Sequence, residues 1–145
     1  YLTPEEYFEF IANLRKVDSA ALNEFLQQFD AFFNGEILDQ KKYLRDFSKG
    51  NQKKVGLAAS FIGDPSIVIL DEPFANLDPS SQIRLKSFLA SEGNKDKTLL
   101  ISSHDLNHVT DVCERIVLLE KGNVIKDTPK SPKTLKELEA YFSGQ

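Results

Sequence analysis

One stretch of the chain decides the fold: Ser66-Ile67-Val68-Ile69-Leu70-Asp71-Glu72-Pro73. Four consecutive apolar residues end abruptly in two carboxylates and a proline. An unbroken apolar run of this length predicts a strand that is buried on both faces, in the middle of a parallel sheet. Open α/β sheets bind their ligands at the carboxyl ends of such strands, so Asp71 and Glu72 are the first candidates for a functional site.

Helices and strands alternate on the carboxyl side of this stretch. Residues 98–104 form a second apolar run that ends in polar residues. Between the two runs, Asp78-Pro79-Ser80 is typical of a helix start, and four apolar residues are expected to form the buried stripe of that helix: Ile83, Leu85, Phe88 and Leu89. Strand, helix and strand in this order predict two parallel strands. Residues 116–126 predict a strand, a tight turn and a strand.

The first 62 residues read as helical. Thr3 and Pro4 are typical of a helix start, a second helix is predicted from Ser19 to Phe33, and a small-residue helix is predicted over 53–62. Six phenylalanines fall within the first 35 residues. They indicate either a small helical core or, for some of them, a contact face for a partner protein.

These patterns predict an α/β fold in three parts. We expect a helical subdomain at residues 1–62, an α/β core at residues 63–130, and a C-terminal helix at residues 131–145 that begins at Ser131-Pro132.

Composition limits the possible classes of protein. The chain has 145 residues and a net charge of −4, which gives no electrostatic reason to expect nucleic acid as a partner. No apolar run approaches the roughly 18–20 residues of a membrane span, so we expect a soluble, cytoplasmic chain. The single cysteine, Cys113, cannot form an internal disulfide. We expect it to pack as a small apolar side chain.

Three groups of residues could carry chemistry. Asp71 and Glu72 could have separate roles, in which one carboxylate holds Mg²⁺ and the other activates a water. The alternative is that both are solvated acids at a strand end. His104 follows the neighbouring strand and belongs on the same rim, as a phosphate ligand or as a structural hydrogen bonder. Ser48-Lys49-Gly50-Asn51 opens a helix, where it forms either an anion site or a simple cap. His108 reads as structural.

Four segments together resemble the motifs of one family. Phe47–Val55, Ile67–Pro73, Ala75–Pro79 and Ser102–Asp105 resemble, in order and spacing, the signature, Walker B, D-loop and switch-histidine motifs of ABC-type ATPases, which are P-loop NTPases. The resemblance covers nearly the whole chain and implies a partial ABC ATPase fold, with a helical subdomain followed by parallel strands with flanking helices.

The resemblance implies a role for each matching residue. Asp71 would orient Mg²⁺, Glu72 would be the general base for the attacking water, and His104 would touch the γ-phosphate of ATP. Asp78 would cross the interface between two such ATPase subunits.

The signature segment departs from the usual family pattern. Ser48 and Gly50 match residues that contact the γ-phosphate of ATP held by the opposite subunit, but Lys49 and Asn51 replace a glycine and a glutamine, and Phe47 replaces a leucine. A lysine beside phosphate is electrostatically reasonable. The Ser-Lys-Gly form resembles that of bacterial ABC-2-type exporters.

The resemblance also implies a function and partners. We expect an ATP-binding and ATP-hydrolysing subunit of an ABC transporter, most similar to exporters, that uses ATP and Mg²⁺. Its partners would be a multi-span membrane subunit and a second ATPase subunit, arranged head to tail with it, so that it lies peripherally on the inner face of the cell membrane. Two alternatives stay open: an ABC-type ATPase head that acts on DNA or ribosomes, and a non-enzymatic interaction module.

One element of the family pattern does not occur in the printed sequence. No Gly-x-x-x-x-Gly-Lys-Ser/Thr phosphate loop is present, and the chain begins at Tyr1 and contains no methionine. We therefore expect the chain to be the downstream part of a longer ATPase and to be inactive alone.

Overall fold

A computed structural model describes residues 1–93 and 95–144. In these residues the α-helices are α1 (Pro4–Leu14), α2 (Ser19–Gln27), α3 (Asp30–Phe33), α4 (Lys49–Phe61), α5 (Pro79–Gly93), α6 (Leu106–Val112) and α7 (Thr134–Ser143), and a short 3₁₀ helix spans Leu44–Asp46. The strands are β1 (Ile67–Asp71), β2 (Thr98–Ser102), β3 (Arg115–Glu120) and β4 (Asn123–Pro129). The mixed α/β class predicted from the sequence is confirmed.

Helix α1 begins where the sequence predicts it. The hydroxyl of Thr3 accepts a hydrogen bond from the backbone N–H of Glu6 at 3.3 Å, and the Glu6 carboxylate accepts one from the N–H of Thr3 at 2.8 Å. This reciprocal pair satisfies two backbone donors that the helix itself cannot pair.

The single helix predicted from Ser19 to Phe33 is wrong, because the chain turns at Phe29. Helix α2 ends at Gln27 and α3 begins at Asp30. The N–H of Phe29 bonds to the carbonyl of Leu26, a tight three-residue turn that breaks the helical path. The turn brings the rings of Phe29 and Phe33 together, with centroids 5.7 Å apart, inside the core.

The N-terminal phenylalanines form a core. Phe8 is fully buried and its ring stacks on that of Phe33 at 6.0 Å between centroids. Phe29 and Phe32 are also buried, which confirms the core interpretation for these four residues. Phe10 is different, because 53% of its surface is exposed.

The parallel pairing of β1 with β2 is confirmed, but burial of β1 on both faces is wrong. Val68 and Leu70 are buried, whereas Ile67 is 63% exposed and Ile69 is 70% exposed. Because side chains alternate along a strand, one face meets helix α4 and the core, and the other face is left uncovered. Leu100 of β2 is likewise 61% exposed on its strand.

Helix α5 buries a narrower stripe than the sequence predicts. Ser81, Leu85 and Leu89 follow one another at a spacing of four residues and are all buried. Ile83 is 66% exposed, so its predicted burial is wrong. It lies two residues from both Ser81 and Leu85, on the opposite side of the helix.

The C-terminal part is a hairpin covered by helices. Strands β3 and β4 pair antiparallel with an irregularity between Leu118 and Leu119, as predicted for a strand, a turn and a strand. Ile116, Leu118 and Leu138 of α7 form a second small core. Helix α7 begins at Thr134, three residues later than predicted, and Leu138 is its most buried apolar residue.

The main core crosses the subdomain boundary expected at residue 62. It contains Phe8 and Phe33 from the helical part and Val68 and Leu85 from the α/β part. The division into parts stays a prediction. Among the described residues, none of the helices is long and apolar enough to cross a membrane.

Replacing Phe8 with alanine should destabilise the fold by about 3–5 kcal/mol, because a fully buried aromatic ring leaves a cavity. The matched control is Phe10→Ala on the same helix, which should change the free energy of unfolding by at most about 0.5 kcal/mol. Urea unfolding followed by circular dichroism measures both. Equal losses in the two variants would contradict the assignment of the core.

Candidate functional site

The register of the two parallel strands builds a polar rim at their carboxyl ends. Asp71 is paired with Ser102, the last residue of β2. The hydroxyl of Ser102 donates a short hydrogen bond to one oxygen of the Asp71 carboxylate. The pairing continues one residue further, because the N–H of Glu72 bonds to the Ser102 carbonyl at 3.1 Å.

Glu72 lies where the chain turns away from the strand. Its φ of 45° is in the left-handed region, which a non-glycine residue adopts at a cost. One carboxylate oxygen accepts hydrogen bonds from the backbone N–H of His104 at 2.9 Å and from the His104 ring Nδ1 at 2.7 Å. The other accepts from the hydroxyl of Ser103 at 3.2 Å. Three donors from the β2 side therefore hold the Glu72 carboxylate.

The contact between Glu72 and His104 shifts both titrations. The hydrogen bond from the His104 ring, together with the backbone N–H of His104 and the Ser103 hydroxyl, lowers the pKa of Glu72 from its ordinary value. The same hydrogen bond and the charge of Glu72 raise the pKa of His104. Because the His104 side chain is 85% exposed, this pair is accessible to solvent and to a ligand.

The Ser48-Lys49-Gly50-Asn51 segment forms the first turn of α4. The Ser48 hydroxyl accepts from the N–H of Asn51 at 3.1 Å, so Ser48 is the N-cap, as predicted. The hydroxyl still carries its own hydrogen for donation. Ser48 and Lys49 are exposed, and the N-terminal end of the helix favours an anion.

Gly50 is needed where α4 meets the loop that precedes α5. A Cβ atom placed on Gly50 would lie 2.6 Å from the backbone oxygen of Asn76, closer than a carbon can approach an oxygen. Asn76 has a φ of 63°, which turns that loop towards the helix. The absence of a side chain at Gly50 therefore allows helix and loop to touch.

Asp78 is the N-cap of α5, and its carboxylate accepts hydrogen bonds from residues of the same chain. One carboxylate oxygen accepts from the Ser80 hydroxyl at 2.6 Å and from the N–H of Ser81 at 3.0 Å. The other accepts from the Ser81 hydroxyl at 2.5 Å. These hydrogen bonds hold the pKa of Asp78 well below its usual range.

The predicted site residues thus fall into two groups. Asp71, Glu72 and His104 come together on the rim, whereas the Ser48–Asn51 turn and Asp78 lie around the contact between α4 and the 76–78 loop. Lys53 of α4 joins the two groups, since its Nζ donates to the backbone oxygen of Asp71 at 3.0 Å.

Sequence reasoning did not assign roles to Ser102, Ser103 and Lys53. The two serines directly precede His104 at the end of the second apolar run. The alignment of strand ends that pointed to His104 could therefore have pointed to these serines as well. Nothing in the sequence pairs Lys53 with Asp71. His108 packs against the ring of Phe74, with ring centroids 4.5 Å apart, as a structural residue would.

The resemblance implies a magnesium nucleotide at the rim. Within residues 1–93 and 95–144, no group of three or more histidine, cysteine, aspartate or glutamate side chains is placed to hold a metal ion. Mg²⁺ usually takes one or two carboxylates and completes its shell with waters and phosphate oxygens. Asp71 could supply one such carboxylate, and it accepts a hydrogen bond from the Ser102 hydroxyl.

Comparison with known proteins supports the resemblance found in the sequence. Residues 4–110 match the model of a family described as "AAA domain, putative AbiEii toxin, Type IV TA system". The chain is 32% identical over 126 residues to the uncharacterized ABC transporter ATP-binding protein all4389 of Nostoc sp., an alignment that covers 86% of this chain and 38% of the relative. It is 32% identical over 133 residues to the uncharacterized ABC transporter ATP-binding protein YhaQ of Bacillus subtilis, covering 92% of this chain and 43% of the relative.

The solved structure of an ATP-binding subunit of an ABC transporter is similar as well. Its TM-score is 0.80 at 26% identity, with 98% of this chain and 57% of that chain covered. The fold predicted from the resemblance is thereby confirmed. The chain spans less than half the length of the two curated relatives.

The titration of His104 should occur above its ordinary pKa of 6.5. The pKa of Glu72 is lowered below its ordinary value of 4.5. The ion pair therefore makes its full contribution to stability between pH 4.5 and pH 6.5. That contribution is lost as the pH rises through the folded pKa of His104, and as it falls through the folded pKa of Glu72. Histidine ring NMR measures the midpoint.

In Glu72→Gln the midpoint of His104 should fall back towards 6.5, whereas Glu24→Gln, an exposed and distant change, should leave it where it is. A wild-type midpoint at or below 6.5 would refute the ion pair.

Replacing Gly50 with alanine should lower the free energy of unfolding by about 1–3 kcal/mol, because the new methyl group meets a backbone oxygen that cannot swing aside. Gly56 is a matched control on the same helix, with nothing within 4 Å of an added Cβ. Gly56→Ala should stabilise by about 0.5–1 kcal/mol. Thermal unfolding of both variants checks this, and a Gly50→Ala variant as stable as Gly56→Ala would disprove the close contact.

Proposed function

The chain belongs to the ABC-type ATP-binding proteins, which are P-loop ATPases, and on this premise we propose that the whole protein is the ATP-hydrolysing subunit of an ABC transporter. The observation that carries the proposal is the Glu72 carboxylate on the rim, next to Asp71 and hydrogen-bonded to His104. A carboxylate and a histidine on adjacent strand ends suit the hydrolysis of a phosphoanhydride by water.

In this proposal Glu72 is the general base. Its carboxylate accepts the proton of the attacking water, and His104 donates a hydrogen bond to an oxygen of the γ-phosphate. Asp71 would hold Mg²⁺, and the bound ion would draw charge away from the phosphate oxygens. The hydrogen bond from Ser102 fixes the orientation of Asp71.

The contact between Glu72 and His104 suits a resting state. Three donors hold the Glu72 carboxylate, and its pKa is lowered, so it is a weaker base than a free glutamate. In this proposal the His104 ring turns from Glu72 to the phosphate during catalysis. A bound γ-phosphate offers the ring a competing negative partner, so nucleotide binding would remove one of the three donors from the base.

The first turn of α4 completes the site of a second subunit. The Ser48 hydroxyl, the Lys49 ammonium and the N–H groups at Gly50 and Asn51 would contact the γ-phosphate of ATP that the other subunit holds. The exposure of Ser48 and Lys49 supports this arrangement. The Asp78 loop would lie along the same interface. ATP would thus join two ATPase subunits head to tail.

The partners and the location follow from the same proposal. A multi-span membrane subunit would carry the substrate, and the ATPase subunit would lie on the cytoplasmic face of the membrane, attached through that partner. The Ser48-Lys49-Gly50 form of the signature favours export. The charge of −4 favours neither DNA nor RNA as a partner. No described contact favours the two alternatives, a DNA- or ribosome-directed ATPase and a non-enzymatic module.

The experiment measures ATP hydrolysis by the whole protein assembled with its membrane subunit. Glu72→Gln should reduce kcat by about 10²–10⁴-fold, because it removes the general base while keeping the shape of the side chain. ATP binding should be retained, since Glu72 holds no phosphate in this proposal. Glu24→Gln is the matched control and should leave kcat unchanged. A Glu72→Gln protein with wild-type kcat would refute the assignment of the base.

A further inference from the structure

Lys54 is a buried cation on helix α4, outside the residues assigned above. Only 5% of its side chain is exposed. Its Nζ lies 3.8 Å from a carboxylate oxygen of Asp78 and 3.9 Å from one of Glu36, and it stands 5.7 Å from the centre of the Phe32 ring. Lysine is almost never buried unless it is paired, so these two carboxylates account for its placement.

The position of Lys54 on the helix aligns it with the contact at Gly50. Residues four apart lie on the same face of an α-helix, one turn above the other. Gly50 touches the backbone oxygen of Asn76, and Lys54 faces the carboxylate of Asp78. One face of α4 therefore meets both ends of the 76–78 loop, once by close packing and once by charge.

The carboxylate of Asp78 is the shared group in this arrangement. It caps α5 through Ser81 and also faces Lys54, whose ammonium lies next to the oxygen that accepts from the Ser81 hydroxyl. If Asp78 moved, its capping hydrogen bonds to α5 and its ion pair with Lys54 would be lost together. The position of the loop is thus tied to both α4 and α5.

We propose that Lys54 is a positioning residue that locks the 76–78 loop to the first turn of α4, so that the two segments move as one rigid unit. The consequence for ATP use rests on the function proposed above: phosphate contacts made by Ser48 and Gly50 would set the position of the Asp78 loop at the subunit interface. In this proposal Lys54 acts through Asp78 and is not itself a catalytic residue.

The buried charge itself favours positioning over simple packing. Only the lysine is buried, because the side chains of Asp78 and Glu36 are 53% and 52% exposed. Replacing a buried charge by an apolar residue of similar size is often neutral or stabilising, so stability alone gives no reason for a lysine here. An ammonium group, in contrast, attracts both carboxylates, at 3.8 Å from Asp78 and 3.9 Å from Glu36. The Phe32 ring also lies near the ammonium group, with its centre 5.7 Å from Nζ.

The first test is hydrogen exchange of the backbone amides at residues 76–78, 80 and 81 in the full chain, without nucleotide. Lys54→Met removes the charge and keeps most of the volume, and it should speed exchange at Ser81 by about tenfold or more. The separate variant Lys54→Arg keeps the charge and should retain most of the wild-type protection against exchange at Ser81. Lys53→Gln is the matched control on the same helix, since Lys53 contacts the Asp71 carbonyl and not the loop; exchange at Ser81 should be unchanged. Unaltered exchange in Lys54→Met would overturn the proposal.

The second test separates positioning from a merely structural role. The comparison uses variants whose thermal stability equals that of the wild type. In such a comparison, Lys54→Met should lower kcat of the assembled transporter by about tenfold, while KM for ATP changes little. The combined Lys54→Met and Asp78→Asn variant should be no worse than the more impaired single variant, because both changes break one joint. Additive losses would overturn the proposal.

The outcomes distinguish this inference from the function on which it builds. Faster loop exchange in Lys54→Met supports the lock even if the wild-type protein does not hydrolyse ATP, a result that would refute the proposed function alone. Unchanged loop exchange in a protein that hydrolyses ATP refutes the lock and leaves the proposed function standing.

Discussion

The parallel pairing of β1 with β2 is the interaction on which the rest of the structure depends. It sets Asp71 opposite Ser102 and carries the ladder on to Glu72, so that two separate turns leave the sheet at the same height. A shift of one residue would turn Val68 and Leu70 to solvent and separate Glu72 from His104, because side chains alternate along a strand. Core burial and site geometry are therefore fixed by the same register.

Helix α4 connects this sheet with the other candidate site. It packs against β1, reaches the strand end through Lys53 and touches the 76–78 loop through Gly50. Its first turn is at the same time the exposed phosphate-binding candidate. A helix that contacts the candidate catalytic rim at one turn and presents a candidate anion site at another is suited to link events at two nucleotides, which is the behaviour that the proposed head-to-tail arrangement requires.

The site combines a strained backbone with a satisfied carboxylate. Glu72 has a positive φ and three hydrogen-bond donors, so the strain at the turn is offset by contacts from β2. The same contacts lower the basicity of the carboxylate. This balance holds the residue in place at rest, and a competing phosphate at His104 would remove one of its three donors. The geometry thereby joins local stability with control of the proposed reaction.

The sequence by itself determined the class of fold, the parallel strands, the strand-end carboxylates with His104, and the Ser48 cap, because each depends on local composition and spacing. The tertiary structure alone decided which faces are covered. Ile69 lies in an apolar run and Ile83 was expected in the buried stripe of α5, yet both are exposed, since burial depends on which elements pack against them. The break at Phe29 and the pairing of Lys54 with Asp78 were equally hidden, because contacts between residues distant in sequence leave no local pattern.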